Sequence, residues 1–443
     1  MIKIHSQLTT KYTADMKTQF RWPLQHISFL AICLVLLSGF TFSQPNLPSV
    51  FPDRIVLNPT PDPLTSLAIT WRTDTTVHIG FCEWQLATDT KIKAEESNSV
   101  KSNTKTVEYQ FKDEPKITVN QHSLILSGLL PSTEYIYRVG FDANWSEWFQ
   151  FRTPGKKNEE FSFVYFGDPQ VGLKTEWPRV IRKAYQQCPD CRFMLYAGDI
   201  INRAERDIEW QEWFDAGSFI FSTIPQIMTP GNHDYNGLTV DHHWNSQFSQ
   251  PTNGPKGLKG TCFFVDYPKL RLISIDSATD SELEDENGFS LQAQKIWLDS
   301  VLFTNKKEWV IVTTHLPFYS TKENRDNPQL RKHFQPLLEK YKVDLVLTGH
   351  DHSYGRGRAS DNINSKHTVV YVVSVSGSKF YLLGTKPWME QSAGNLELFQ
   401  TITINENTLV YKSYTASGLL FDELMLKRNG NGVKKFFEFK PRK

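Results

Sequence analysis

The 443-residue chain lacks a surplus of charge of either sign: 49 Lys and Arg face 48 Asp and Glu, a formal net charge of +1. A near-neutral chain carries no electrostatic footprint for nucleic acid or anionic lipid, so neither is an expected partner. It has no apolar run of the roughly 20 residues that a spanning helix needs. The longest run, 27–37, soon gives way to Ser43, Gln44 and Pro45. Cysteine is scarce, at five residues, and the pair Cys188 and Cys191 has no second pair with which to form a zinc ribbon. No repeat of about 20–50 residues is visible, which argues against solenoids and propellers. Aromatics, by contrast, are plentiful: 30 Phe, 16 Tyr and 12 Trp. With 39% hydrophobic and 22% charged residues, they exclude global disorder, collagen and coiled coil. At roughly 150 residues per domain, the length predicts two or three domains.

Lys17 and Arg21 precede the apolar run 27–37, and the small residues Thr41 and Ser43 follow it. This is the pattern of a secretory signal over 1–43, with cleavage expected before Gln44 and an uncleaved anchor as the alternative. The expected product is secreted, periplasmic or held at the cell surface, with no stable membrane span. Export sets the reading of Cys82, Cys188, Cys191 and Cys262. In an oxidising compartment a local disulfide between Cys188 and Cys191 is expected, with buried free thiols as the alternative.

Residues 48–154 read as short strands with turn residues between them. Leu67, Ile69 and Trp71 share one face, as do Tyr135, Tyr137 and Val139. Tyr135 follows the turn Pro131-Ser132-Thr133, where a sandwich strand often begins with a tyrosine corner. An all-β immunoglobulin- or fibronectin-like sandwich is predicted, ending in a linker at 153–157. Residues 160–420 instead alternate continuous apolar runs (161–166, 193–196, 224–228, 270–275, 309–312, 345–347 and 369–375) with helical patterns at 176–187, 291–302 and 328–341. Such runs suit strands buried on both faces of an α/β domain. The lysines of 421–443 read as a solvated tail.

In α/β sheets, ligands collect beyond the carboxyl ends of strands. Five strands here end in a residue able to bind metal: Gly167-Asp168-Pro169-Gln170, Gly198-Asp199-Ile200-Ile201-Asn202, Gly231-Asn232-His233-Asp234, His315, and Gly349-His350-Asp351-His352. Singly, each piece is no more than a turn, a cap or a solvated histidine pair. Five of them at analogous places in one domain point to a shared site. Two divalent cations about 3.5–4 Å apart can clamp a phosphoryl group and supply a hydroxide. Cations so close repel, so a carboxylate must lie between them, and Asp199 is the candidate. His350 and His352, two apart in an extended segment, point to one side and can reach different metals. Asn232 offers a neutral amide oxygen. Its neighbour His233 is left to hold the phosphoryl group or protonate the leaving oxygen.

The ordered set Gly-Asp, Gly-Asp-x-x-Asn, Gly-Asn-His-Asp, a single His and then Gly-His-x-His-x-Tyr-x-Arg resembles the calcineurin-like metallophosphoesterases. The preceding sandwich and Gly349–Arg356 resemble the purple acid phosphatases within that superfamily. The resemblance implies a catalytic domain of two packed sheets with helices outside, a four-layer αββα arrangement. It implies one metal on Asp168, Asp199 and His352, a second on Asp199, Asn232, His315 and His350, and His233 as the catalytic histidine. One departure stands out. Where the purple enzymes have a tyrosine that gives a phenolate to iron(III), this chain has Asn202, and the histidine of other relatives' first motif is Gln170. Both are neutral, as metal or supporting groups, so zinc, manganese or iron(II) suits the set better than iron(III). Arg325, Tyr354 and Arg356 are candidate substrate contacts, since guanidinium matches phosphate oxygens. His242-His243 reads as a solvated pair, and Asp276 as a strand-end cap. The expectation is an exported dinuclear phosphoesterase that hydrolyses phosphate monoesters through attack by hydroxide. A phosphodiesterase with the same site, or an inert surface-binding protein, are the alternatives.

Overall fold

The structure is a computed structural model that describes residues 47–155, 159–278, 289–358, 369–429 and 434–439. The chain divides after Leu47, and the second unit, Pro48–Lys443, is compact. The expected signal at 1–43 lies outside the described residues. Among those described, no helix is long and apolar enough to cross a membrane.

The second unit opens with a β-sandwich. One sheet runs Asp53–Pro59, Ser66–Thr73, Ile117–Ser127, Asn103–Tyr109; the other is built on Phe81–Leu86 and Glu134–Phe141. The alternating residues Leu67, Ile69, Trp71, Tyr135, Tyr137 and Val139 all pack into the core between the sheets, as period-two strands require. The Tyr135 hydroxyl accepts a hydrogen bond from the Leu130 amide at 2.8 Å, closing the tyrosine corner.

Two seven-stranded sheets follow. The first runs Gln226–Thr229, Met194–Ala197, Phe161–Phe166, Leu398–Ile404, Thr408–Thr415, Leu420–Arg428, Lys434–Phe439. The second runs Phe263–Asp266, Leu270–Ser274, Trp309–Thr313, Leu345–Thr348, Val370–Val373, Tyr354–Arg358, Gln391–Ala393. Phe163, Leu195 and Ile402 of the first meet Leu272, Ile311 and Leu347 of the second in one core. On the outer faces, the helix Trp177–Gln187 packs on the first sheet through Val180 and Ile181, and Pro328–Lys340 on the second through Phe334 and Leu338. This is the αββα stack. Within each sheet the strands carrying the motifs are parallel, so their carboxyl ends meet at one edge.

Three expectations are corrected. Residues 421–439 are not a tail: Leu420–Arg428 and Lys434–Phe439 extend the first sheet, and Lys434 Nζ reaches Asp344 at 2.6 Å. Cys188 and Cys191 are free thiols, as are Cys82 and Cys262. His243 is buried rather than solvated, while His242 is exposed.

His243 belongs to the seam between the sandwich and the sheets. Its ring stacks on Tyr109 of the sandwich, centroids 3.6 Å apart, and its nitrogens lie 2.6 Å from Asp241 and 3.3 Å from Asp207. Arg54 holds both Asp207 oxygens at 2.7 and 2.8 Å, and the wholly buried Arg72 holds both of Asp53 at 2.8 and 2.7 Å. Burial disfavours the Asp207 charge, but Arg54, His243 and Arg72 outweigh it and hold the carboxyl far below its usual range. Tyr137 adds a bond from its hydroxyl to the Ser222 carbonyl at 2.7 Å.

Candidate metal centre

Several motif residues lie in, or just after, a backbone that few residues tolerate. Gly198 has φ +90°, and a side chain at Gly349 would run into Asp168 Oδ1. Asp199, His350 and His352 themselves sit at φ +50°, +73° and +48°. Such left-handed residues each cost on the order of 1–3 kcal/mol and gather where a site demands them. The glycines before Asp199 and His350 therefore let two loops approach as closely as the carboxylates require.

The side chains converge. Ligand atoms of Asp168, Asp199 and His352 lie within 4.8 Å of one another, as do those of Asp199, His315 and His350, so Asp199 belongs to both groups. His315 Nδ1 donates to the Ala197 carbonyl at 2.8 Å. That leaves Nε2 facing Asn232 Oδ1 at 3.1 Å, His350 Nδ1 at 3.1 Å and Asp199 Oδ1 at 3.3 Å. His352 Nδ1 donates to the Lys379 carbonyl at 2.9 Å, and its Nε2 lies 3.3 Å from Asp168 Oδ2. Carbonyls that fix the far nitrogen of an imidazole are what metal-binding histidines usually have. The backbone amides of His350 and His233 donate to Asp168 and Asp199.

Electrostatically the centre is anionic. Asp168, Asp199 and Asp234 are buried, and among the described residues the only side-chain ion-pair partners of Asp168 and Asp199 are histidines. Burial pushes Asp168 up to about 7, with Asp199 adding to the effect and His315 opposing it. Burial also works against the Asp199 charge, yet His315, His233 and His350 hold that carboxyl below its usual range. For His315, burial is outweighed by Asp199 and Asp168, which lift it to about 9. Burial, with His315 and Arg325 beside it, pushes His350 well down, and burial with Lys379 brings His352 to about 4. Two sets of nitrogen and oxygen donors sharing one carboxylate fit a pair of borderline divalent cations.

His233 stands apart from both groups. Its Nδ1 bonds the Asn202 carbonyl at 2.7 Å, leaving Nε2 without a partner among the described residues. Asn202 thus acts here through its main chain. Gln170 is buried, and its Oε1 accepts from Lys379 Nζ at 3.3 Å, so the oxygen expected for a metal is held by an ammonium. Arg325 lies at the rim, bonded to Asp351 Oδ1 at 2.8 Å and the His350 carbonyl at 3.2 Å.

Tyr354 and Arg356 are not substrate contacts. Both are fully buried: Tyr354 Oη donates to Asp422 at 2.5 Å, and Arg356 bonds Asp422 at 2.6 and 2.9 Å and Glu438 at 2.9 Å. They tie the second sheet to the last strands of the first. Asp276 is a buried cap that accepts from Tyr235 Oη at 2.5 Å and the Ala278 amide at 3.2 Å.

Sequence reasoning overlooked two supports. Asp234 takes the amides of Gly231 and Ile200 at 2.8 and 3.1 Å and so staples the Asn232 turn to the Asp199 loop. Glu209 accepts the amides of Asn202 and Arg203, both at 2.9 Å, and fixes the carbonyl that orients His233. The position of Asp234 inside the Gly-Asn-His-Asp turn was the available signal for the first; Glu209 had none.

Comparison with known proteins agrees with this architecture. Residues 52–153 match the family model for the purple acid phosphatase N-terminal domain, and 161–354 the model for calcineurin-like phosphoesterases. The chain is 26% identical over 243 residues to purple acid phosphatase 21 of Arabidopsis thaliana, covering 53% of each chain. It is 28% identical over 258 residues to acid phosphatase type 7 of Homo sapiens, covering 53% of this chain and 56% of that one. The matches to these curated relatives span only part of either chain. The solved structure of a purple acid phosphatase from yellow lupin (Lupinus luteus) seeds shares the fold, with a TM-score of 0.69 at 19% identity over 86% of this chain and 75% of that one. Sandwich, four-layer domain and ligand loops together make the chain a purple acid phosphatase-like member of the calcineurin-like metallophosphoesterase superfamily.

Proposed function

We propose that the protein is an exported phosphoesterase that hydrolyses phosphate monoesters with two divalent cations. The observation that carries this reading is the sharing of Asp199 between two groups of ligand atoms, each within 4.8 Å. Asp168, Asp199 and His352 would hold one cation; Asp199, Asn232, His315 and His350 the other. When bound, such a pair supplies Lewis-acid charge to the phosphoryl oxygens and acidifies water.

The chain's own groups do the rest. Asp199 contributes an anion to both positions, while neutral Asn232 adds an oxygen without further negative charge. The Asn202 carbonyl accepts from His233 Nδ1 and so fixes the ring with Nε2 turned outward; a proton taken up on that nitrogen can then be passed to the departing alkoxide. Zinc, manganese or iron(II) is the proposed metal type, because Asn202 brings no phenolate. Tyr235 and Tyr354 spend their hydroxyls on Asp276 and Asp422. The protein should then be colourless even when loaded with iron; a visible charge-transfer band would overturn that assignment. Export rests on the basic, apolar and small residues of 17–43, and N-terminal sequencing of the protein recovered from an expressing culture tests it.

The function is tested by loading metal-stripped protein with zinc, manganese or iron(II) and assaying a panel of monoesters and diesters. Turnover of monoesters is expected. Turnover confined to diesters would replace the monoester reading, and metal binding without hydrolysis of either would sink the enzymatic one.

A further inference from the structure

Beside His352 stands a group of side chains that neither ligand set uses. The Tyr381 ring lies 4.7 Å, centroid to centroid, from that of His352. Three cations surround this one tyrosine: Lys322 Nζ at 4.1 Å, Lys379 Nζ at 5.4 Å and Arg325 Cζ at 5.6 Å from its centroid. Arg325 has a carboxylate, Asp351, at 2.8 Å. Lys322 and Lys379 ion-pair with no carboxylate among the described residues. An aromatic face attracts a cation, but it does not remove the repulsion between cations gathered on the same ring.

A second observation points the same way. Gln170, only 1% exposed and held at φ +30°, gives its oxygen to Lys379. Its Nε2 is buried and has no acceptor among the described residues. A buried donor left without an acceptor is costly, and such groups usually mark the place of a missing partner. Two unpaired ammonium groups and an orphaned amide donor, beside an anion-processing centre, need the same thing: an anion with several acceptor oxygens.

We propose that Gln170, Lys322, Lys379 and Tyr381 form a second anion subsite, which selects phosphate esters and anhydrides that carry a second phosphate group. This rests on the phosphoesterase reading. The metal centre would take the scissile phosphate and the subsite its neighbour. A phosphate fits better than a carboxylate because it brings more acceptor oxygens and more charge to two ammonium groups and an amide donor.

Pyrophosphate and 4-nitrophenyl phosphate separate the possibilities, read as kcat/KM on the metal-loaded protein. Calorimetric binding of imidodiphosphate, which resists hydrolysis, against orthophosphate gives a readout independent of turnover. The wild type should favour the diphosphates. Lys322→Met and Lys379→Met should each lower the pyrophosphate to 4-nitrophenyl phosphate ratio by about tenfold, mainly through KM, and shrink the imidodiphosphate advantage by a similar factor. The half-exposed Lys322 guards the test against misfolding, which thermal unfolding of both variants checks. An equal loss on both substrates, or no change in either ratio, would overturn the subsite, as would a wild type that binds the two anions alike. If the wild type hydrolysed neither substrate but kept a lysine-dependent preference for imidodiphosphate, the subsite would stand and the phosphoesterase reading would fall.

Discussion

The seam and the metal centre bury the same kinds of side chain and use them in opposite ways. At the seam, Arg54 and Arg72 close on Asp207 and Asp53, and His243 lies between Asp241 and Asp207. Positive charge meets negative charge within the protein, and the result is a joint. In the centre no lysine or arginine pairs with Asp168 or Asp199 among the described residues. The nitrogens of His315 and His350 face one another at 3.1 Å, and His315 faces the Asn232 oxygen at the same distance. Lone pairs converge there on something the chain does not itself provide. Burial of titratable groups is therefore no mark of function by itself; the mark is buried carboxylates whose neighbours are imidazoles rather than lysines or arginines.

That contrast can be broken most sharply at Asp199. Asp199→Asn removes the one anion common to both ligand groups, and hydrolysis should fall to background, measured on a monoester with metal in excess. At the seam, Arg54→Ala leaves Asp207 buried beside a lost partner. Removing one member of a buried pair typically costs about 3–5 kcal/mol, so denaturant unfolding should show a loss on that scale while bound metal is kept. A seam variant that lost metal but not stability would erase the distinction.

His233→Ala sharpens the comparison from inside the centre. The ring is outside both ligand groups, so metal content should stay at the wild-type level while kcat falls by about a hundredfold or more, the usual scale for acid–base help. Loss of metal in that variant would make His233 a ligand.

The smallest effect belongs to the sandwich. His122 is buried among hydroxyls, with Thr73 at 2.8 Å and Thr104 at 2.9 Å, and stacks on Trp71. Burial lowers it to about 4 from an ordinary 6.5. Its neutral form stabilises the fold fully above pH 6.5. As pH falls from 6.5 toward 4 the unfolded chain takes up the proton first and stability drops, by an amount on the order of 3 kcal/mol. Unfolding midpoints of the wild type and His122→Gln across that range should diverge in slope; parallel lines would contradict the assignment.

How much was legible depended on whether the signal was local. Asp168, Asp199, Asn232 and His350 each follow a strand and a glycine, because the chain must turn tightly at the place where a ligand is presented. Those residues stood out before any coordinates, and the structure brings them together. Tyr354 and Arg356 were misread for a physical reason. They follow His352 closely, but from Tyr354 the chain is already a strand, and its two-residue period turns both side chains away from the loop and toward Asp422, 66 residues along from Arg356. His243 was misread in the same way, since Asp207 and Tyr109 are distant in sequence. The last strand looked like a tail because Lys434 and Lys435 are polar, although its ladder with Leu420–Arg428 runs from Lys434 to Phe439. Long-range pairing leaves no trace in a window of sequence.

The central claim is that one carboxylate serves two cation sites, and metal stoichiometry tests it most directly. Metal-stripped wild type titrated with zinc or manganese in a calorimeter should bind two equivalents. Asp168→Asn, which touches only one ligand group, should keep about one, and Asp199→Asn should lose both, since close cations cannot be held together without the anion between them. If Asp199→Asn bound two equivalents with wild-type affinity, Asp199 would not be the bridge, and the reading of this centre as a dinuclear site would be wrong.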